Sequence, residues 1–281
     1  MRIAIIGATG VAGRILLPLL RQRGHAPRAG VRSAAAVQAL AREGVEATVC
    51  DILDPASLVP LLAGCDAVVN LATAIPKAGG DWTANDRVRA AGTHHLLAAC
   101  AQAAVPRLVQ QSVAMLHCAD DSRPQAEDDA LEGYGVLASA AELERSVAES
   151  ALDWRIVRGG LFYGADSGRE RAWAADVENT DFRIPGDGTA WFSLVHVRDF
   201  AHALALVAEH PEPRQAYIAC DDAPLTVNNL YSEVARRRGR PLPPTGGPSR
   251  MRSFRTSNAK LRGIGWLPEY PALERGWGRA A

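Results

Sequence analysis

The sequence predicts an α/β fold in which a doubly wound parallel sheet carries helices on both faces, with a smaller lobe toward the C-terminus. Three observations carry that expectation. Short apolar runs alternate with stretches of helical spacing through the first two-thirds of the chain. The segments between successive apolar runs are too long for hairpins, so the strands must return by crossovers. A glycine-rich turn follows the first apolar run directly.

Arg2–Ile6 reads as the first strand, and Val11–Arg23 as a helix through Ile15, Leu16, Leu19 and Leu20. Pro18 lies inside that helix, where it removes a hydrogen bond and predicts a bend. Strands at Arg28–Arg32 and Glu46–Cys50 flank a helix at Ala34–Glu43. A short helix at Pro55–Leu62 leads to a continuous apolar strand at Ala67–Leu71, the pattern of a strand buried on both faces. Long helices are expected at Asn85–Ala103 and Leu137–Leu152, with strands at Leu108–Gln111 and Arg155–Arg158. Leu161–Thr189 then loses periodicity. A strand at Ser193–Val197, a helix at Phe200–Glu209, a strand at Ala216–Ala219 and a helix at Thr226–Arg238 follow, the last capped by Thr226.

Composition narrows the function. At 281 residues the chain suits one large core, or one core with an appended lobe. Its 31 basic and 31 acidic residues cancel, leaving no net field to gather nucleic acid or an anionic membrane surface. No apolar run approaches the roughly 18 residues needed to span a bilayer. Ala4-Ile5-Ile6 runs straight into the glycine turn, unlike a signal peptide. Cys50, Cys65, Cys100, Cys118 and Cys220 are scattered and read as reduced thiols, so a cytoplasmic protein is expected. His94 and His95 diverge on their helix, and no metal site is expected. Arg236, Arg237 and Arg238 close a helix and answer its dipole. The acidic stretch from Asp120 to Asp129 reads as a solvated loop, placed where it would also serve as a lid.

The chemistry begins at Gly7-Ala8-Thr9-Gly10-Val11-Ala12-Gly13. Glycines at this spacing permit a tight turn, admit a pyrophosphate close to the backbone, and let the following helix pack on the strand. Free N–H groups at the helix N-terminus then face the phosphates. The turn predicts a dinucleotide site built from Gly7, Thr9, Gly10, Val11 and Gly13. An acid at the end of the second strand would bond both ribose hydroxyls of NAD(H). Here Val31 takes that place and Arg32 follows, which suits the 2′-phosphate of NADP(H), with NAD(H) the lesser expectation.

With these motifs in place, the chain resembles the extended short-chain dehydrogenase/reductases, the NAD-dependent epimerase/dehydratase family, over nearly its whole length. The resemblance rests on the glycine turn, Asp51-Ile52, Asn70-Leu71-Ala72, Asn85 with Gly92-Thr93, Arg158 with Phe162-Tyr163-Gly164, and Val195-His196-Val197-Arg198-Asp199. It implies a Rossmann sheet with a small intertwined C-terminal substrate lobe. It also implies that Asp51 and Ile52 flank the adenine, while Leu71, Ala72 and Thr73 line the nicotinamide-side ribose and diphosphate. The boundaries expected are 1–158 and 193–220 for the Rossmann domain, and 159–192 and 221–281 for the lobe. Relatives often pair as homodimers through the two helices expected here at 85–103 and 137–152. Asp199 is expected to cap the helix starting at Phe200.

The family's catalysis uses a Ser or Thr, a Tyr, and a Lys four residues after the Tyr. By resemblance, Ser112 and Tyr134 stand at the first two places, and Glu142 where the helix often carries a glutamate. The lysine is missing. Ala138 occupies its place, and Lys77 and Lys260 are the only lysines in the chain. Three accounts stay open. Tyr134 donates a proton as NADPH reduces a carbonyl, the pocket performs redox-neutral dehydration, isomerisation or cyclisation, or the protein senses NADP without catalysis. Lys77, on the loop bordering the nicotinamide, is either a substitute cation or a solvated side chain. Tyr163 and His196 either face a substrate or pack at a strand end. Trp173, Trp191, Phe162, Phe182 and Phe192 in the lobe point to an apolar or aromatic small-molecule substrate. The arginine- and alanine-rich composition fits a GC-rich genome and a place in specialised metabolism.

Overall fold

The computed structural model describes residues 1–76, 80–118, 122–249 and 251–280. Lys77 lies outside the described residues. The chain divides into two compact units. The first comprises Met1–Ser112, Gly133–Val157 and Ala201–Ala216, and the second Val113–Glu132, Arg158–Phe200 and Tyr217 to the C-terminus. The division departs from the expected boundaries mainly at 113–132 and 193–200, which belong to the second unit. The reason is local bonding: Gln125 N–H donates to Arg255 O at 2.7 Å, and Glu127 Oε1 accepts from Ile218 N–H at 2.8 Å.

In the first unit, the strands β1 (Arg2–Ile6), β2 (Ala26–Val31), β3 (Glu46–Val49) and β4 (Ala67–Asn70) alternate with the helices α1 (Val11–Gln22), α2 (Ala34–Arg42) and α3 (Pro55–Leu62). After β4 come α4 (Thr83–Arg87), a π-helical turn at Val88–Gly92, α5 (Thr93–Gln102), β5 (Arg107–Val113), α6 (Ala138–Ala148) and β6 (Asp153–Gly159). The helix expected as one piece at 85–103 is thus two helices joined by a π turn. Leu137–Leu152 shortens to α6, preceded by a 3-10 turn at Gly135–Leu137.

Further on, the chain forms β7 (Leu161–Tyr163), α7 (Arg169–Glu178), β8 (Ile184–Pro185), β9 (Trp191–Phe192), β10 (Leu194–His196), α8 (Val197–Glu209) and β11 (Gln215–Ala219). The main sheet has seven strands in the order β11-β6-β5-β4-β1-β2-β3. β1 pairs in parallel with both β2 and β4, so the strand order reverses at β1/β4, and a crevice opens at the carboxyl ends there. Ile3, Ile5, Val68, Val69 and Leu108 are fully buried, as continuous apolar strands between two helix layers require. Ser33 and Asp54 cap α2 and α3, each accepting a backbone N–H from the first helical turn.

In the second unit, α9 (Val227–Arg238) begins at Thr226, whose hydroxyl accepts the Asn229 N–H at 3.2 Å, as the sequence predicted. Asp199 is a correction. It lies inside α8, and its buried carboxylate accepts the N–H groups of Glu269 at 2.8 Å and Tyr270 at 2.9 Å. It therefore pins a distant segment instead of capping a helix. The aromatic residues of this unit largely pack on one another: Trp173 stacks on Trp277 and Phe192 on Phe254, while Phe182 meets Tyr231. Among the described residues no helix is long and apolar enough to cross a membrane, and no group of three His, Cys, Asp or Glu side chains is placed to hold a metal ion.

Candidate active site

The site begins at the turn between β1 and α1. Gly7 adopts φ +80°, a conformation that disfavours side chains, and a Cβ there would lie 2.8 Å from Leu71 O. A Cβ on Gly13 would fall 2.6 Å from Ala8 O, so the start of α1 presses against the turn only because residue 13 has no side chain. Val11 opens α1, which has no acidic residue in its first turn. Its first N–H groups are left for an incoming anion. A cleft of about 410 Å³ extends from this turn. That is within the range of small-molecule sites.

Most of the predicted nucleotide residues line one cleft: Gly7, Thr9, Gly10, Arg32, Asp51 and Ile52, then Leu71, Ala72 and Thr73. Val11 and Gly13 stand behind it and shape the turn. Asp51 is held in place because its carboxylate accepts the Leu53 N–H at 2.9 Å. The strand following the crevice is fixed by amides. Asn70 donates to Gln110 at 2.9 Å and accepts from Ala72 N–H at 3.1 Å, while Asn85 accepts from Ala74 N–H at 3.0 Å. Two amide side chains thereby set the path of Leu71–Ala74 along the cleft. Cys50 also lines the cleft, and burial pushes its thiol up to about 11, so it is neutral near pH 7.

The residues predicted for proton transfer sit differently. Ser112 is buried in β5, and its hydroxyl donates to Glu144 Oε1 at 2.5 Å. A serine has one hydrogen to give, and here a buried carboxylate receives it. Ser112 is therefore left with acceptor capacity only. Tyr134 is half-buried at the start of the 3-10 turn, and its carbonyl accepts the Leu137 N–H at 2.8 Å. Ala138, at the lysine position, is the exposed first residue of α6. Near it lies a buried cation that the sequence reading passed over. Arg89, on the π turn, donates to Val136 O at 3.1 Å and Ser139 Oγ at 3.2 Å, and Ser139 donates on to Asp86 at 2.6 Å. Burial pulls the Arg89 guanidinium below its usual range, opposed by the Asp86 carboxylate.

Tyr163 and His196, the other substrate candidates, are fully enclosed. The Tyr163 hydroxyl donates toward Tyr270 O and Ala272 O at 3.3 and 3.2 Å, and burial holds its pKa far above that of a free phenol. His196 accepts the Arg198 N–H at Nδ1 and donates from Nε2 to Arg279 O, both at 3.2 Å. Burial lowers its pKa, which favours this neutral tautomer. Both side chains are engaged with backbone, the packing role that the sequence left open for them.

A family model described as NAD(P)H-binding matches residues 7–199. The chain belongs to the NAD(P)H-binding family. Its fold within that family is that of the extended short-chain dehydrogenase/reductases. The UDP-glucose 4-epimerase of Thermus thermophilus, solved with NAD, superposes with a TM-score of 0.80 at 22% identity, covering 98% of this chain and 96% of that one. The dTDP-glucose 4,6-dehydratase DesIV of Streptomyces venezuelae, with NAD and TYD bound, gives a TM-score of 0.82 at 21% identity over 98% and 94%. Among characterised relatives, a 3-diazoavenalumate denitrifying reductase from a Streptomyces species is 31% identical, over 99% of this chain and 100% of the relative. A 4-hydroxy-2-methyl-3-oxo-4-farnesyl-3,4-dihydroquinoline-1-oxide ketoreductase of Stigmatella aurantiaca is 27% identical over 85% and 74%. This member of the NAD(P)H-binding family thus shares the fold of the extended type, and the two relatives named above are reductases.

Besides Arg89, two residues escaped the sequence reading. Glu142 was singled out on α6, yet it is exposed and pairs with Arg145, whereas Glu144 turns inward to Ser112. The signal existed. Ala140, Leu143, Glu144 and Val147 form the buried stripe of α6, spaced as one helical face. Arg87, at the end of α4, lines the cleft with no pattern in the sequence to mark it.

Proposed function

We propose that this chain is an NADPH-dependent reductase whose hydride acceptor is a diazo group on a small aromatic metabolite. The observation that carries the reading is that Ala138, not a lysine, stands four residues after Tyr134, and that the Ser112 hydroxyl donates to Glu144. Reduction of a carbonyl creates an oxyanion, which needs a hydrogen-bond donor and a proton. Ser112 offers neither. An aryldiazonium makes the opposite demand. It is a cation, and hydride added to its terminal nitrogen yields a neutral aryldiazene. Loss of N₂ then leaves hydrogen on the ring carbon, so charge and hydrogen balance with no proton from the protein.

The nicotinamide, when bound, supplies that hydride. The chain's own residues bind and orient. The turn at Gly7–Gly13 receives the pyrophosphate, Asp51 and Ile52 flank the adenine, and Leu71–Thr73 hold the ribose and diphosphate nearer the nicotinamide. Arg32 reads the 2′-phosphate and sets the preference for NADP(H). The full-length similarity to a reductase named for a diazo substrate supports this acceptor.

A second reading is carbonyl reduction with Tyr134 as the acid, and the ketoreductase relative favours it. One experiment separates the two. The full chain with NADPH is offered a substituted arenediazonium, an aromatic ketone and an aromatic aldehyde, while nicotinamide absorbance and N₂ release are followed. The diazo reading expects NADPH loss matched one-to-one by N₂, above the rate without protein. Faster turnover of the ketone would replace it with the carbonyl reading. Binding of NADPH without turnover of any acceptor would favour a sensor.

A further inference from the structure

We propose that Arg87 is a second specificity residue for the 2′-phosphate of NADP(H), acting with Arg32; the inference rests on the NADP preference proposed above. Arg32 follows β2 and Arg87 ends α4, so 55 positions separate them in sequence, yet both line the same cleft beside Val31, Asp51 and Ile52. Both side chains are exposed. Neither guanidinium has a hydrogen bond or ion pair with any of the described residues.

Some surface arginines pair with carboxylates: Arg123 with Asp129, Arg145 with Glu142 and Glu149, Arg236 with Glu233, Arg252 with Glu132, and Arg262 with Asp222. Others, such as Arg14 and Arg171, have no carboxylate partner among the described residues, and what sets Arg32 and Arg87 apart is that both line the cleft. In a chain of zero formal net charge, two arginines without partners among the described residues line one cleft and make its lining cationic. The one carboxylate among the lining residues is Asp51, and the Leu53 N–H holds it. Two guanidiniums against one carboxylate leave the lining net positive. A phosphate monoester on the adenosine ribose is the dianion that would neutralise it, taking paired hydrogen bonds from each planar guanidinium. A ribose bearing only hydroxyls would leave that charge unmet.

The test measures binding to the full-length protein, so it does not depend on the substrate. Affinities for NADP⁺, NAD⁺, 2′,5′-ADP and 5′-AMP are determined by titration calorimetry for the wild type, Arg87→Gln, Arg32→Gln and the double variant. Because both side chains are exposed and unbonded, the variants are expected to fold, which circular dichroism verifies. Each single variant should weaken NADP⁺ and 2′,5′-ADP about 10- to 100-fold, the size of a lost charged hydrogen bond, and change NAD⁺ and 5′-AMP by less than about twofold. In the double variant the two dinucleotides should bind alike. If Arg32→Gln removes the preference and Arg87→Gln does not, the role of Arg87 is overturned while NADP selectivity stands. If Arg87→Gln weakens NAD⁺ as much as NADP⁺, Arg87 does not read the phosphate. If the wild type binds both dinucleotides equally, the NADP reading falls and this inference falls with it.

Discussion

The cleft and the segment proposed here as its reactive end, both in the first unit, differ in how their polar groups are used. At the nucleotide end, the groups facing the cleft are left available: backbone N–H groups at the start of α1, the glycine turn, and two unpaired arginines. In the segment proposed as the reactive end, polar side chains are turned inward onto the protein. Ser112 is given to Glu144, and Arg89 to Val136 O and Ser139. A site that must grip a charged ligand keeps its donors open to solvent and accepts that cost. A site whose donors are spent internally can hold shape and exclude water, but it offers few protons. The comparison accounts for a chain that keeps a dinucleotide turn while lacking the family's lysine.

The sharpest way to break the nucleotide half is at the helix start. Gly13→Val puts a branched side chain where even a Cβ meets the Ala8 carbonyl at 2.6 Å, and backbone cannot move aside cheaply. Nucleotide affinity should fall at least ~100-fold, because the turn and the α1 N–H groups shift together. Fluorescence titration with NADPH checks this, and unchanged binding would mean the turn does not hold the phosphates.

A second test concerns a buried polar group beyond the cleft. His117 is fully enclosed in the second unit, with Nε2 accepting from Arg158 at 3.0 Å, and burial assisted by the Arg158 charge pushes its pKa down to about 4. Between pH 6.5 and about 4 the unfolded chain binds a proton that the folded chain refuses. Stability must therefore fall as pH drops through that window, by on the order of 3 kcal/mol at its lower end. Urea unfolding of the wild type and His117→Gln at pH 7 and pH 4.5 should show the variant losing less on acidification. Equal losses would remove His117 as the source.

The smallest expected effect on stability sharpens the reactive half. Glu144→Ala strands the Ser112 hydroxyl in a buried place, costing about 1–3 kcal/mol, while NADPH affinity stays within about twofold. Urea midpoints and nucleotide titration measure both. A large loss of NADPH affinity with little loss of stability would move Glu144 into the cofactor site.

Much of this was legible in the sequence because the signals are local. The alternation of apolar runs gives strands and helices, and the glycine spacing of 7, 10 and 13 gives the phosphate turn without reference to distant residues. The place of Arg32 on the cleft was reachable by counting from the same turn. What failed depends on which way a helix faces. Glu142 and Glu144 are equally polar, and only the stripe through Ala140, Leu143 and Val147 tells that the second is buried. The π turn at Val88–Gly92 rotates the faces after Arg87, so a regular helical count from Asn85 goes astray there. Asp199 looked like a cap because its partners, Glu269 and Tyr270, lie about 70 residues away. Arg87 joins Arg32 only through the folding of the sheet.

The central claim is that hydride transfer here proceeds without a proton relay through Tyr134. The most direct measurement is the rate of NADPH oxidation by Tyr134→Phe against the wild type, with an arenediazonium acceptor, across pH 6 to 8. The account predicts rates within about threefold and a matching pH profile for the two proteins. A general acid typically contributes ~10²- to 10⁴-fold, so a loss of ~100-fold or more in the variant would contradict the account and assign the proton to Tyr134.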